Sequence, residues 1–381
     1  MSLRANWSYP TRILFGAGRV EEIGQACAEA GIRRPLLVTD RGLAALPLTA
    51  AMLDRMEAQG LGRALFAEVD PNPTDVNLAA GVAAYRAGGH DGVIAFGGGS
   101  GLDLGKMVAF MSGQTRPVFD FEDVGDWWTR ADPAGIAPNV AVPTTAGTGS
   151  EVGRASVITN TASHVKKIIF HPKVLPAVTI CDPELTVGMP PAITAGTGMD
   201  AFAHCLEAYC TPSWHPMGEG IALEGMRLVL ENLPRAFRDG ADIEARAKMM
   251  AAAAMGAVAF QKGLGAIHAL SHPVGAVYGS HHGTTNAVVM PAVLRFNRDA
   301  VAEKLDRAAA YLGVAGGTEG LLGRVDALLG ELCIPKGLGA LGVEAARIPE
   351  LAAMAAEDPT AGANPVPFGV AEARRLYELA L

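Results

Sequence analysis

Gly92-Val93-Ile94-Ala95-Phe96-Gly97-Gly98-Gly99-Ser100-Gly101-Leu102-Asp103-Leu104-Gly105-Lys106 decides how this chain folds. Residues 92–96 form a compact apolar run, short enough for a strand and closed by glycine. Residues 101–110 carry helical spacing. A strand that feeds a helix through a glycine turn is the working unit of a parallel sheet. Glycines at such a turn let a backbone approach a ligand closely, and the freed N–H groups of the helix start favour a phosphate. Tight turns use glycine on their own account, so this turn alone speaks to fold before ligand.

Working outward, residues 36–39, 139–143 and 178–181 repeat the short apolar pattern, each ending in polar or turn residues. Helical spacing over 79–87 falls between two of them. Strand, helix, strand alternation predicts a parallel sheet covered on both faces. Past Pro190 the character changes to long Ala-, Leu- and Met-rich segments of 3.6-residue period, at 193–209, 218–230, 242–260, 263–277, 300–311 and 318–332. The expected architecture is an α/β, Rossmann-like parallel-sheet domain that binds a dinucleotide (residues 1–187), followed by an all-α, metal-binding domain (residues 188–381). The boundary falls in Val187-Gly188-Met189-Pro190-Pro191. No internal repeat is present.

Length and composition agree: 381 residues suit two domains, and half of them are hydrophobic, ample for large cores. The net charge of −8 argues against a nucleic-acid surface, which needs clustered Lys and Arg. Lys166-Lys167 is the densest basic pair near a Gly-rich loop. Mean hydropathy is positive, yet apolar runs such as 249–260 fall short of the about 18–20 residues a spanning helix needs. Met1-Ser2-Leu3-Arg4, followed by Trp7, Ser8 and Tyr9, has no signal-peptide pattern, so cytoplasm is expected. Cys27, Cys181, Cys205, Cys210 and Cys333 form no Cys-x-x-Cys pair and read as small buried hydrophobes.

A second loop, Pro143-Thr144-Thr145-Ala146-Gly147-Thr148-Gly149-Ser150-Glu151, also caps a predicted strand and is rich in partners for phosphate or ribose oxygens. Two such loops at strand C-terminal ends mark the ligand edge of an open α/β sheet. The strict Gly-x-Gly-x-x-Gly fingerprint is absent; Gly147-Thr148-Gly149 misses it because Gly153 arrives one residue late. Asp40 ends the strand at 36–39. A carboxylate there can accept from a ribose diol and repels a 2′-phosphate, favouring NAD over NADP.

Nine histidines are present, and His268, His272, His281 and His282 fall in one short window. His268 and His272 stand four apart on a predicted helix and share a face, as do Asp200 and His204 upstream. His282 follows a Gly-containing bend. Two helices offering Asp/His and His/His faces can converge on one divalent ion. One carboxylate and imidazoles without thiolate suit Fe(II), Zn(II) or Mn(II).

These motifs together resemble the iron-containing (group III) alcohol dehydrogenases. The matches are Gly97-Gly98-Gly99-Ser100-x-x-Asp103-x-x-Lys106, Pro143 through Val152, Gly198-Met199-Asp200-x-x-x-His204, His268-x-x-x-His272-Pro273 and His282-Gly283. They occur in the family's order and span the chain from Tyr9-Pro10-Thr11 to Asn364-Pro365. The resemblance implies metal ligands Asp200, His204, His268 and His282, with Fe2+ as the metal and Zn2+ or Mn2+ as alternatives. It places His272 beside the metal without binding it, where an imidazole, by its ordinary acid–base chemistry, is the candidate catalytic proton carrier, a structural role being the alternative. It assigns NAD to Gly98, Gly99, Ser100 and Asp103, to Asp40 at the adenine ribose, and to Thr144, Thr145, Thr148 and Lys167. Pro71, Asn72 and Leu185 match further cofactor-contacting positions. A homodimer or larger homo-oligomer is implied too.

One departure stands out: where the family continues with Thr after Val152, this chain has Gly153-Arg154-Ala155-Ser156. Arg154 could recognise an anionic substrate through paired hydrogen bonds, although an outward, ion-paired Arg is the plainer reading. Trp127-Trp128 could close over the site or simply anchor a loop. The expected function is a metal-dependent, NAD(H)-linked dehydrogenase acting on a small alcohol, diol or hydroxy acid. Rival readings are a hydroxyacid–oxoacid transhydrogenase with tightly held cofactor, a sugar-phosphate lyase, and a non-catalytic metal- or nucleotide-binding protein.

Overall fold

The computed structural model describes Tyr9, residues 11–163 and residues 165–381. Residues 1–8, on which the leader expectation rests, and Pro10 of the N-terminal motif lie outside them. Two compact units divide these residues: Tyr9–Thr145 with Gly149–Val187, and Ala146–Thr148 with Gly188–Leu381.

The first unit is built on eight strands: β1 (Arg12–Phe15), β2 (Pro35–Val38), β3 (Leu65–Phe66), β4 (Gly92–Gly97), β5 (Asn139–Pro143), β6 (Ala155–Asn160), β7 (Val165–Phe170) and β8 (Val178–Cys181). Six of them form one parallel sheet in the order β1-β8-β5-β4-β2-β3. Every residue of β2, β4, β5 and β8 is buried, which is why these four read from sequence as continuous apolar runs. Helices α1 (Ile23–Glu29), α2 (Arg41–Ala44), α3 (Pro47–Ala58), α4 (Asp75–Ala87) and α5 (Gly99–Met111) connect them. Two apolar clusters flank the sheet, one around Phe110 and Phe121, the other around Ile23, Leu37 and Phe96. β6 and β7 form a separate antiparallel pair.

Glycine is demanded at particular points of this unit. Gly97 has φ +141°, and a Cβ on Gly105 would stand 2.6 Å from the Cβ of Ala95, so α5 lies close against β4 only because Gly105 has no side chain.

The second unit is helical: α6 (Pro191–Cys210), α7 (Pro216–Arg238), α8 (Ile243–Ala259), α9 (Ala266–Tyr278), α10 (His282–Asn297), α11 (Ala302–Tyr311), α12 (Gly317–Glu331), α13 (Ile348–Ala356) and α14 (Val370–Ala380). α6 is its axis, with nearly every residue from Thr194 to Cys210 buried. Small residues bring its neighbours in: a Cβ on Gly283 of α10 would meet the Gly196 carbonyl at 2.1 Å, and one on Gly256 of α8 would meet the His204 Cβ at 2.9 Å. No single helix among the described residues is long and apolar enough to cross a membrane. Cys27, Cys181, Cys205 and Cys210 are buried as expected, but Cys333 is exposed. It sits just past α12 in a left-handed turn with φ 54°, outside the core its residue type suggested.

Candidate metal centre and cofactor loops

The sheet reverses its direction of growth between β2 and β4, because β3 is added on one side and β5 on the other. Open α/β sheets bind ligands at the C-terminal ends of such a pair. Asp40 follows β2 and Gly97 ends β4, and a Cβ on Gly97 would lie 3.5 Å from Asp40 Oδ2. Asp40 caps α2 through Oδ1, which accepts from the Leu43 N–H at 2.9 Å, so Oδ2, on the Gly97 side, is the oxygen that this cap does not use. Gly98 begins α5 with no side-chain cap, leaving the first N–H groups of that helix to a ligand. Thr144 donates its backbone N–H to the Gly97 carbonyl at 2.9 Å, and Thr145 packs on Gly98.

Several other nominated cofactor residues also have partners within the protein. Both oxygens of Asp103 are engaged within the protein: Oδ1 accepts from Ser150 Oγ at 2.5 Å and Oδ2 from the Val157 N–H at 2.9 Å. Lys106 is wholly buried, donating to the Ser150 and Ala155 carbonyls at 2.9 and 2.6 Å. Together they brace the second loop against α5. Lys167 on β7 donates to Glu122 at 3.0 Å, and Leu185 lies in the apolar core beside Ile180 and Leu14. Pro71 and Asn72 form the turn before α4, with Asn72 at φ 59°. Thr148 falls in the short 146–148 segment of the helical unit. The Arg154 guanidinium lies 5.3 Å from the Phe170 ring centre. Trp127 carries Arg130 over its ring at 4.1 Å, while Trp128 packs edge-on against Phe170 and His171. Trp128 thus anchors this loop on Phe170 and His171, while Trp127 stays half-buried under Arg130.

In the helical unit, α6 presents Asp200 and His204 one turn apart, α9 contributes His268, and His282 is the first residue of α10. Asp200 Oδ1 lies 3.8 Å from His204 Nε2, 3.8 Å from His268 Nε2 and 3.4 Å from His282 Nε2. Those separations are long for hydrogen bonds. They resemble the edge, about 3.4 Å, of a tetrahedron whose ligands stand about 2.1 Å from a central cation. Asp200, His204 and His268 form the cluster able to hold a metal ion among the described residues. All three are buried, while the His282 side chain is 28% exposed, so the centre opens on its His282 side.

The protonation chemistry of the donors fits such a role. Burial, aided by the neighbouring His268 and opposed by Asp200, pushes His204 down to about 4, so it is neutral near pH 7. Burial alone would lower His268 too, but the charge and hydrogen bond of Glu207 outweigh it and raise the imidazole above its ordinary value. Glu207 was not legible as a site residue. It sits on α6 one turn past His204, its Oε2 lies 2.5 Å from His268 Nδ1, and its Oε1 accepts from the Ile267 N–H at 2.6 Å. One carboxylate thus caps α9 and turns the Nε2 of His268 toward Asp200. The spacing Asp200, His204, Glu207 along one helical stripe was the available signal.

His272 stacks on His282 with ring centres 5.3 Å apart, and its Nδ1 is 2.8 Å from Asp358 Oδ2. Asp358, also unforeseen, is half-buried, which opposes its ionisation. His272 and the hydroxyl and N–H of Thr360 prevail and hold its carboxyl below the usual range.

The family model for iron-containing alcohol dehydrogenase matches residues 10–183, and the model for the C-terminal part of that family matches residues 194–381. The chain belongs to the iron-containing alcohol dehydrogenase family. It is an oxidoreductase acting on CH–OH donors. It is 41% identical to a 4-hydroxybutyrate dehydrogenase of Cupriavidus necator, over 97% of this chain and 98% of that protein. It is 35% identical to an NAD-dependent methanol dehydrogenase of Bacillus methanolicus, over 94% and 95%. A crystal structure of a 1,3-propanediol oxidoreductase superposes with a TM-score of 0.94 at 34% identity, covering 99% of this chain and 100% of the other. A parallel-sheet N-terminal region followed by a helical one is therefore the fold of this member of the iron-containing alcohol dehydrogenase family, as its sequence led one to expect.

Proposed function

We propose that this protein is an NAD(H)-linked, divalent-cation-dependent dehydrogenase of small alcohols, with ω-hydroxy acids and short diols as its substrate class. The observation that carries this reading is the placing of one carboxylate oxygen, Asp200 Oδ1, within 4 Å of three imidazole nitrogens. The substrate class follows the similarity to a 4-hydroxybutyrate dehydrogenase and a 1,3-propanediol oxidoreductase. When bound, the cation supplies a Lewis acid that stabilises negative charge on the substrate oxygen, and nicotinamide supplies the hydride acceptor.

The chain's own residues then have separable tasks. Asp200, His204, His268 and His282 hold the cation, Fe2+ first, with Zn2+ or Mn2+ as alternatives. Glu207 keeps the His268 proton on Nδ1 and its lone pair on Nε2. His272, oriented by Asp358 at Nδ1, takes the substrate's hydroxyl proton at Nε2 and releases it to solvent. Gly98, Gly99 and Ser100 hold the pyrophosphate at the start of α5. Asp40 Oδ2 accepts from the adenine ribose, selecting NAD over NADP.

The test is a screen of the Fe2+-, Zn2+- and Mn2+-loaded protein with 4-hydroxybutyrate, 1,3-propanediol and primary alcohols, following NADH absorbance. Turnover strongest on hydroxy acid or diol is expected. No nicotinamide reduction across the panel sinks the proposal, and hydroxy-acid oxidation coupled to reduction of an added oxo acid, with no added nicotinamide, would instead point to transhydrogenation.

A further inference from the structure

Asn286 lies on α10 one turn beyond His282 and is fully buried. Its amide nitrogen stands 2.8 Å from Asp200 Oδ1, 3.2 Å from His282 Nε2 and 3.3 Å from His268 Nε2. One NH2 group thus faces three of the four atoms assigned to the cation. We propose that Asn286 is a positioning residue of the metal centre, setting the Asp200 carboxylate and the His282 imidazole for a divalent cation.

The amide's polarity is chemically determined. Turned end for end, it would set its oxygen against the Asp200 carboxylate at hydrogen-bond distance, two acceptors face to face. In the orientation found, its own Oδ1 is buried with no hydrogen-bond partner in the protein. An unmatched buried carbonyl costs about 1–3 kcal/mol, and leucine, of similar shape, has no carbonyl to leave unmatched. Packing therefore does not account for an amide at this position. The contact with Asp200 does, because an N–H on one carboxylate oxygen fixes the rotamer of the group and damps its charge. Partners of this kind orient the atoms that bind a metal, and losing one typically costs about 10–100-fold in metal affinity or activity. Since Asn286 and His282 share one face of α10, the same residue also ties the position of His282 to that of Asp200.

The inference rests on the reading of this centre given under Proposed function, and the experiment separates the two. Full-length wild type, Asn286→Leu and Asn286→Asp are stripped of metal and titrated with Zn2+ against a chromophoric chelator. Folding is followed by circular dichroism, and the visible spectrum of the Co2+-loaded form is recorded. Asn286→Leu is expected to weaken Zn2+ binding about 10–100-fold. Asn286→Asp removes the donor and adds a negative charge beside Asp200, so it is expected to bind Zn2+ more tightly than wild type and to change the Co2+ spectrum. Equal Zn2+ affinity in all three proteins overturns the role of Asn286. If the leucine variant does not fold, the aspartate variant decides, and an affinity and Co2+ spectrum unchanged from wild type overturn it. A wild type that binds no divalent cation overturns the centre itself, and Asn286's role with it.

Discussion

One carboxylate, that of Glu207, reaches His268 Nδ1 at 2.5 Å with one oxygen and the Ile267 N–H at 2.6 Å with the other. The start of α9 and the direction of its first histidine are thereby set by a residue of α6, the helix that carries Asp200 and His204. The same carboxylate therefore serves both the start of α9 and the orientation of His268.

Removing that link should be felt as metal affinity. Glu207→Gln is expected to weaken divalent-cation binding about 10–100-fold, and His268→Ala to abolish both metal content and turnover. Elemental analysis after gel filtration, beside a chelator competition, measures both. Full metal occupancy in His268→Ala would remove it from the proposed ligand set.

Asp358 should act on rate and leave the metal alone. His272→Asn is expected to lower kcat about 100-fold or more, within the range for a positioned proton carrier, with metal content unchanged. Asp358→Asn should lower it in the same direction and by less, since His272 keeps its ring but loses its orientation. A normal kcat in His272→Asn at full metal loading refutes the proton-carrier role.

Most of the centre was readable because its chemistry is local. Asp200 and His204 are one helical turn apart, as are His268 and His272, so spacing alone suggested two histidine-bearing faces, and His282 joined them only through the family resemblance. β2, β4, β5 and β8 were readable because both faces of each are buried. What escaped depends on distant parts of the chain. Asp358 meets His272 across 86 residues, and no local pattern announces it. α10 opens on His-Gly and contains Pro291, which breaks the helical signal and hid Asn286 with it. The β6–β7 pair is largely half-exposed, carrying Thr159, Lys166 and Lys167 where a buried strand would carry Val or Ile. β3 has only two residues and shows no periodicity at all.

The approach of α10 to α6 gives a prediction about stability and metal together. A methyl on Gly283 would meet the Gly196 carbonyl at 2.1 Å and the Asp200 Cβ at 2.9 Å, backbone and ligand at once. Gly283→Ala is therefore expected to cost about 1–3 kcal/mol or more and to lose metal. Gly323, inside α12, would meet nothing within 4 Å, so Gly323→Ala should stabilise by about 0.5–1 kcal/mol. Thermal denaturation of both variants tests the contrast, and equal effects would show that the α6–α10 contact is not tight.

Glu151 supplies a pH-dependent test confined to the sheet unit. It is buried, and burial, opposed by a backbone hydrogen bond and by Lys106, raises its carboxyl from 4.5 to about 7. Between those two values the folded protein holds a proton that the unfolded chain has released. Unfolding is then favoured as pH rises, so stability falls through this window by at most about 1.4 kcal/mol per pH unit and flattens above it. Glu151→Gln carries no such proton and escapes the fall. Its advantage over wild type should grow from about pH 5 to about pH 8, read as the difference in denaturant midpoint between the two proteins. Other groups titrate in the same range, but they are common to both proteins and cancel in the difference. Parallel pH profiles would show that Glu151 is already ionised in its buried site, held there by the Lys106 ammonium.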